Sequence, residues 1–243
     1  MRQFIGNIAF VVGQIVSTIL FTPFAIIAAL FLSSLKKAEL LRYWADFLCW
    51  WLRICCRIDF VVRGTEHLPD QPSVILSNHQ SAWETIAFQK IFPPQSYLLK
   101  RELKWIPFFG WGLAANEPIA IDRSKKTQAL QQLITQGINR LQRGRWIIIF
   151  PEGTRMPIGQ PGCFQAGGAF IASKAQAPIV PVAHNAGAFW SKKGAFWKKP
   201  GTIEVVIGPD INTQGRKPRD LNLEAEAWIL ETLSELPIHA PSE

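Results

Sequence analysis

Cysteine is scarce and unpatterned in this chain. Its four cysteines, Cys49, Cys55, Cys56 and Cys163, form no C-x-x-C pair and share no metal-ligand spacing with the four histidines. This argues against a disulfide framework or a structural zinc site and suits a reducing compartment. Acidic side chains are also few, 18 against 26 Lys and Arg, for a formal charge of +8. Such an excess favours acidic partners: anionic lipid, phosphate or nucleic acid. Charge of either sign is missing altogether between Arg2 and Lys36. What is present excludes a disordered basic tail, since 48% of residues are hydrophobic and ten are Trp. The length of 243 residues suits one compact domain with appendages.

The uncharged stretch, Phe4 through Leu32, is dominated by Phe, Ile, Val, Leu and Ala. As one helix it would measure roughly 45 to 50 Å at 1.5 Å per residue, more than a hydrocarbon core of about 30 Å requires. Pro23, Gln14, Ser17 and Thr18 offer places to kink, so a tilted span and a re-entrant pair of helices both fit. The run is too long for the apolar core of a signal peptide. If it spans, Lys36, Lys37 and Arg42 outweigh Arg2, and the positive-inside rule puts everything downstream in the cytoplasm. From Leu40 to Cys56 the charges Arg42, Asp46 and Arg53, with Arg57 just beyond, are spaced 4, 7 and 4. That is an amphipathic helix with a wide apolar face, able to lie in a membrane interface or to dock on a core. Residues 1–57 thus read as a membrane-anchoring helical region and 58–243 as the main domain.

From Ile58 onward short β-rich runs alternate with helical ones. Candidate strands are 58–63, 73–77, 95–99, 117–121, 145–150, 179–183 and 203–207. Between the fourth and fifth, Leu130, Leu133, Ile134, Ile138 and Leu141 recur at helical spacing, with Ser124 as N-cap and Gly144 as stop. This is an α/β fold: a mostly parallel or mixed sheet of about seven strands covered by helices. Ligands in such sheets gather at strand ends, which directs attention to the loops.

After the second strand comes Asn78-His79-Gln80-Ser81-Ala82-Trp83-Glu84. A carboxylate five positions after a histidine, in the first turn of a helix, can fold back to the imidazole and leave its other nitrogen free to accept a proton. Spacing alone also allows a structural pair. After the fifth strand stands Phe150-Pro151-Glu152-Gly153-Thr154-Arg155, where Gly permits close backbone approach, Thr donates hydrogen bonds and Arg presents a planar fork to phosphate. Arg123 follows the fourth strand, and Lys100 and Arg101 the third. Cations at three strand ends beside the histidine loop suggest a phosphate pocket.

These residues carry a resemblance. His79-x-x-x-x-Glu84, Ile121-Asp122-Arg123, the 150–155 block and Ile179-Val180-Pro181-Val182 resemble, in order and spacing, the four blocks of the glycerolipid acyltransferases, nearest the branch that acylates 1-acyl-sn-glycerol 3-phosphate. The resemblance covers roughly residues 58 to 210 and implies a membrane-associated enzyme making phosphatidate from lysophosphatidate. His79 would be general base on the acceptor hydroxyl, which attacks the thioester of acyl-CoA or acyl-carrier protein, and Glu84 would orient it. Arg123 and Arg155, with Lys100, would hold the phosphate; Glu152, Gly153 and Thr154 would shape the acceptor site; Pro181 would belong to the segment lining a pocket. No covalent acyl-enzyme, metal or redox cofactor is implied. Glycerol 3-phosphate or another lysolipid is the alternative acceptor, and a non-catalytic anionic-lipid-binding protein the alternative from another class. Two departures stand out. The first block of the family usually ends in Asp, and Phe164-Gln165-Ala166-Gly167-Gly168 stands where relatives often place a basic residue.

One feature lies outside the blocks. Ala188-Phe189-Trp190-Ser191-Lys192-Lys193-Gly194 is nearly repeated as Ala195-Phe196-Trp197-Lys198-Lys199. Paired aromatics and lysines suit anionic membrane lipid, acyl-carrier protein or the phosphates of coenzyme A. The apolar N-terminus sets nucleic acid aside. The expected location is the inner membrane with the catalytic domain facing the cytoplasm.

Overall fold

The computed structural model describes residues 1–100, 105, 106, 108, 110–112, 117–121, 126–192 and 196–238. Seven strands form one sheet: β1 (Ile58–Arg63), β2 (Val74–Ser77), β3 (Gln95–Lys100), β4 (Ile119–Ile121), β5 (Trp146–Ile149), β6 (Ile179–His184) and β7 (Gly201–Ile207). Their order is β1-β7-β6-β2-β5-β3-β4. β6, β2, β5, β3 and β4 run parallel, and β7 turns antiparallel to β6 with β1 parallel to it. The sheet is therefore mixed, and each expected strand is present within a residue or two.

Side chains alternate across the strands, so consecutive apolar residues serve opposite faces. Ile75, Ile148, Val180 and Val182 enter one core cluster. Val74, Leu76, Ile147, Ile149 and Ile179 enter the other. The second cluster is closed by α4 (Lys126–Gln142), α5 (Gly167–Ala175) and α6 (Pro218–Glu235), through Leu133, Ile171, Leu221 and Ile229. The α4 helix follows the spacing predicted for it and ends at Gln142, just before Gly144, whose φ of 79° suits glycine. Its proposed N-cap, Ser124, lies outside the described residues.

The first cluster is covered by α3 (Trp83–Ile91) and by the N-terminal helices α1 (Arg2–Ala29) and α2 (Ser34–Cys56). The helices α1 and α2 form an antiparallel hairpin. Gly6 meets the Cys55 carbonyl and Gly13 the Trp51 ring so closely that a Cβ at either would lie 2.1 Å from its neighbour. The Trp51 Nε1–H donates to the Ala9 carbonyl at 3.1 Å, and Phe21 stacks on Trp44.

The α2 helix docks on the core with one part of its apolar surface and leaves another part exposed. Leu48, Cys49, Leu52 and Cys56 are core residues, while Tyr43, Phe47, Trp50 and Ile54 are exposed. Pro23 sits inside α1, which remains one helix.

The α1–α2 hairpin is tied to the sheet domain at two places. Near its start, Gln3 Nε2 donates to the Lys198 carbonyl at 2.9 Å and Asn7 Oδ1 accepts the Lys198 N–H at 3.0 Å. The Lys198 ammonium lies over the Phe10 and Trp190 rings, 4.8 and 4.4 Å from their centroids. At the start of α2, Ser34 and Lys37 reach the Glu117 carboxylate, and Arg145 donates to the Ser34 carbonyl. The two copies of the aromatic-lysine repeat consequently differ. Phe189 and Trp190 are buried, Phe196 and Trp197 exposed, and Lys198 is only 1% exposed. That lysine packs inside the protein instead of meeting an anionic surface.

Candidate active site

The C-terminal ends of β6, β2, β5, β3 and β4 share one edge of the sheet, and His79, Glu84 and the loop 150–155 emerge there. β2 stops at Ser77, and the chain crosses to α3 through Asn78–Ala82. Glu84 lies in the first turn of α3, where a carboxylate meets the positive end of the helix dipole. Its Oε1 sits 2.7 Å from His79 Nδ1 and accepts the Gln80 and Ser81 N–H groups at 2.9 and 2.7 Å. The extra methylene of Glu84 is thus accommodated with a short contact.

Glu84 is fully buried. Burial disfavours its charge, but the hydrogen bond from His79 and the backbone donor of Ser81 outweigh that and hold the carboxyl below its ordinary range. An ionised carboxylate can only accept, so His79 Nδ1 carries the proton and Nε2 presents a lone pair. The His79 ring is further fixed by stacking on Phe150, with centroids 4.2 Å apart and planes at 12°.

The loop after β5 supplies the remaining scaffold. Glu152 spans two backbone donors: Oε2 accepts the His79 N–H at 2.6 Å and Oε1 the Gly162 N–H at 3.1 Å. The Met156 N–H donates to the His79 carbonyl at 2.7 Å, so this loop brackets His79 on both sides. Burial pushes the Glu152 carboxyl upward, opposed by those backbone donors. Its bonds make it a staple for the histidine backbone, a role its position in the sequence does not announce. Gly153 adopts φ 69°, a left-handed conformation that closes the turn by an N–H bond to Phe150 O. Thr154 is exposed and Arg155 half-buried.

Lys192, from the first copy of the aromatic-lysine repeat, reaches this loop. Its Nζ lies 3.3 Å from both Thr154 Oγ1 and the Arg155 carbonyl. Lys100 ends β3 on the same sheet edge. Arg123 falls outside the described residues. Pro181 is buried inside β6, opposite Leu76, and its carbonyl accepts the Gly208 N–H at 2.9 Å. It stands in the sheet itself, away from the loops that gather around His79.

Beside the histidine loop opens a largely apolar cavity of about 310 Å³, walled by Gln80, Glu152, Met156, Ile158, Leu230 and Leu233. Two of its walls come from α6, an element to which the sequence reading assigns no part. Among the described residues no group of three or more His, Cys, Asp or Glu side chains could hold a metal ion. The arrangement as a whole can take a proton at one nitrogen beside an apolar cavity and an arginine-bearing turn.

Comparison with known proteins gives the family. The acyltransferase family model matches residues 59–185. A 1-acyl-sn-glycerol-3-phosphate acyltransferase of Pseudomonas aeruginosa is 50% identical over 196 residues, 79% of this chain and 76% of that one. The alpha form from Mus musculus is 32% identical over 169 residues, 68% of this chain but 59% of the mouse protein. The crystal structure of the 1-acyl-sn-glycerophosphate (LPA) acyltransferase from Thermotoga maritima matches over 100% of both chains, with a TM-score of 0.82 and 22% identity, a likeness of fold.

Proposed function

Because this chain belongs to the acyltransferase family, we propose that it moves a fatty acyl group from acyl-CoA or acyl-carrier protein to the free hydroxyl of 1-acyl-sn-glycerol 3-phosphate, giving phosphatidate. The observation that carries this reading is the 2.7 Å contact between His79 Nδ1 and a buried, ionised Glu84. His79 Nε2 takes the acceptor's hydroxyl proton as its oxygen attacks the thioester carbonyl. The tetrahedral intermediate collapses with cleavage of the C–S bond, and the departing thiolate receives the proton from the imidazolium. Glu84 stabilises that imidazolium without leaving its place. An ester and a free thiol result, with no acyl-enzyme in between.

Arg155 and Thr154 are proposed to meet the acceptor phosphate, with Lys192, which reaches the same loop, as a further cation; for Lys100 and Arg123 that role is proposed from the sequence alone. The apolar cavity beside Gln80 supports an acyl chain lying against the base. Membrane association follows from α1, long and apolar enough to cross a bilayer and exposing Ile15, Leu20, Phe24 and Ile27. Since the hairpin is tied to the sheet domain near the start of α1 and again at the start of α2, we read it as lying in one leaflet of the inner membrane, with the catalytic domain on the cytoplasmic side. In sealed vesicles whose catalytic domains face outward, added protease should then cleave an N-terminal tag. Protection of the tag would instead indicate a span.

A thiol-release assay with acyl-CoA and a panel of acceptors tests the reaction. Thiol release that depends on lysophosphatidate supports it. Faster release with glycerol 3-phosphate or another lysolipid moves the assignment to that acceptor, and vesicle binding without thiol release leaves a non-catalytic lipid-binding protein.

A further inference from the structure

A second histidine lies behind the first. β6 ends at His184, which is fully buried, and β2 ends one residue before Asn78, which is 1% exposed. These strands are parallel neighbours with Ser77 opposite Val182, so the two residues meet at the sheet edge. Each serves the backbone of the other. Asn78 Nδ2 donates to the His184 carbonyl at 2.9 Å, and Asn78 Oδ1 accepts the His184 N–H at 3.0 Å. In return, His184 Nε2 lies 3.0 Å from the Asn78 carbonyl.

The tautomer of His184 follows from a third contact. The Ala186 N–H, which can only donate, points at Nδ1 from 3.2 Å. Nδ1 is therefore the acceptor, Nε2 carries the proton, and the Asn78 carbonyl receives it. Protonating the ring would set one N–H against another, and burial likewise holds His184 neutral. Trp83 and Phe88 wall the imidazole at centroid distances of 6.2 and 5.8 Å.

The carbonyl that His184 grips belongs to the peptide joining Asn78 to His79. The other polar end of that same planar unit is the His79 N–H, held by Glu152 at 2.6 Å. One peptide plane is thus clamped at both ends by buried side chains, and its orientation sets ψ of Asn78 and φ of His79. From there the direction of the His79 ring follows.

We infer that His184 is a positioning residue for acyl transfer, acting through the Asn78–His79 peptide to aim the Nε2 of His79. The inference rests on the reaction proposed above. It separates the work of two histidines: His79 meets the substrate, and His184 never does. The ionisable groups facing His79 are Glu84 beneath the ring, Glu152 on its backbone and His184 behind both.

The test compares kcat and KM of the full-length chain and its variants in detergent or vesicles, with rates normalised to folded protein. His184→Leu removes both ring contacts at comparable volume. Its kcat should fall about 10- to 100-fold, the effect of an ångström-scale misplacement of a reacting group, while both KM values stay within about twofold. His184→Gln places an amide near the former Nε2, keeps the bond to Asn78, and should recover most of the rate. In a Glu84→Gln background, His184→Leu should add little, because the two act on one imidazole. Should His184→Leu not fold, His184→Asn replaces it: its shorter amide reaches the Nδ1 position but not the Asn78 carbonyl, so it should be slow where His184→Gln is fast. Equal rates for the Gln and Leu (or Asn) variants overturn the inference, as does a His184→Leu kcat within about threefold of the parent or full multiplicativity with Glu84→Gln. A parent chain that releases no thiol overturns the reaction and the inference together; an active parent with an equally active His184→Leu overturns the inference alone.

Discussion

Replacing Glu84 with Gln keeps the shape of the relay and removes its charge. The amide oxygen can still accept from His79 Nδ1 and from the Gln80 and Ser81 N–H groups that Oε1 now holds. What disappears is the attraction between carboxylate and imidazolium at the moment the base is protonated. For unit charges about 4 Å apart at an effective dielectric near 20, that attraction is about 4 kcal/mol. Glu84 is fully buried, so screening by salt and solvent takes little of it. If most is felt in the transition state, kcat falls roughly 10²- to 10³-fold. Both KM values should change by less than about twofold, because Glu84 does not touch substrate. A second effect acts on the fold. Among the described residues the other oxygen, Oε2, has no hydrogen-bond partner, so the variant sets an amide N–H₂ there unpaired, at about 1–3 kcal/mol of stability. Thiol release should therefore be followed at saturating lysophosphatidate and acyl-CoA, and divided by the fraction folded from a denaturant titration on the same sample. A normalised kcat within about fivefold of the parent would refute the electrostatic role, since less than about 1 kcal/mol would then remain for it.

Arg155→Ala should raise KM for lysophosphatidate about 10- to 100-fold, the loss of one charge-assisted phosphate contact, and leave KM for acyl-CoA near its parent value; the reverse pattern would assign Arg155 to the donor. Phe10→Ala removes a ring from beneath Lys198 and against Trp190 and should cost roughly 3–5 kcal/mol by denaturant titration, with faster proteolysis near the start of α1. The pH dependence of stability should carry the mark of His184. Burial lowers its ionisation below the ordinary 6.5, so the unfolded chain binds that proton first. Its contribution is complete above about pH 6.5 and is lost as pH falls through the folded-state value. Glu84, held below its ordinary 4.5, adds a second loss below about pH 4.5. Thermal midpoints measured across this range should decline in that order, and His184→Gln should flatten the upper decline.

The central strands β2, β5 and β6 were legible because each is a short apolar run buried on both faces, and β7 because its apolar residues alternate. The helices α5 and α6 escaped for a matching reason. Gly167–Ala175 opens on two glycines and spans only nine residues. The buried side of Pro218–Glu235 is carried by Leu221, Ala225 and Ile229 among many charges, a stripe too thin to declare itself. In the site, His79 and Glu84 lie five residues apart, so local spacing exposes them. Glu152 holds a backbone N–H 73 residues away and Asn78 a strand end 106 residues away. Contacts of that separation exist only once the sheet has set β2 beside β5 and β6. Lys198 shows the same limit: its neighbours in sequence suggest a surface, and only the arrival of Phe10 from the other end of the chain turns it inward.

The tying of the α1–α2 hairpin at the start of each helix bears on how the enzyme meets its substrate. A catalytic head on a loose tether would sample many heights above a bilayer, and its encounters would be governed by tether length. Here packing sets that height, and on the proposed reading the head rides at one depth in a single leaflet. An acceptor already dissolved in that leaflet arrives by lateral diffusion in two dimensions. The rate should then follow the mole fraction of lysophosphatidate among the surrounding lipids, so that adding inert lipid at constant total acceptor slows the reaction by surface dilution alone.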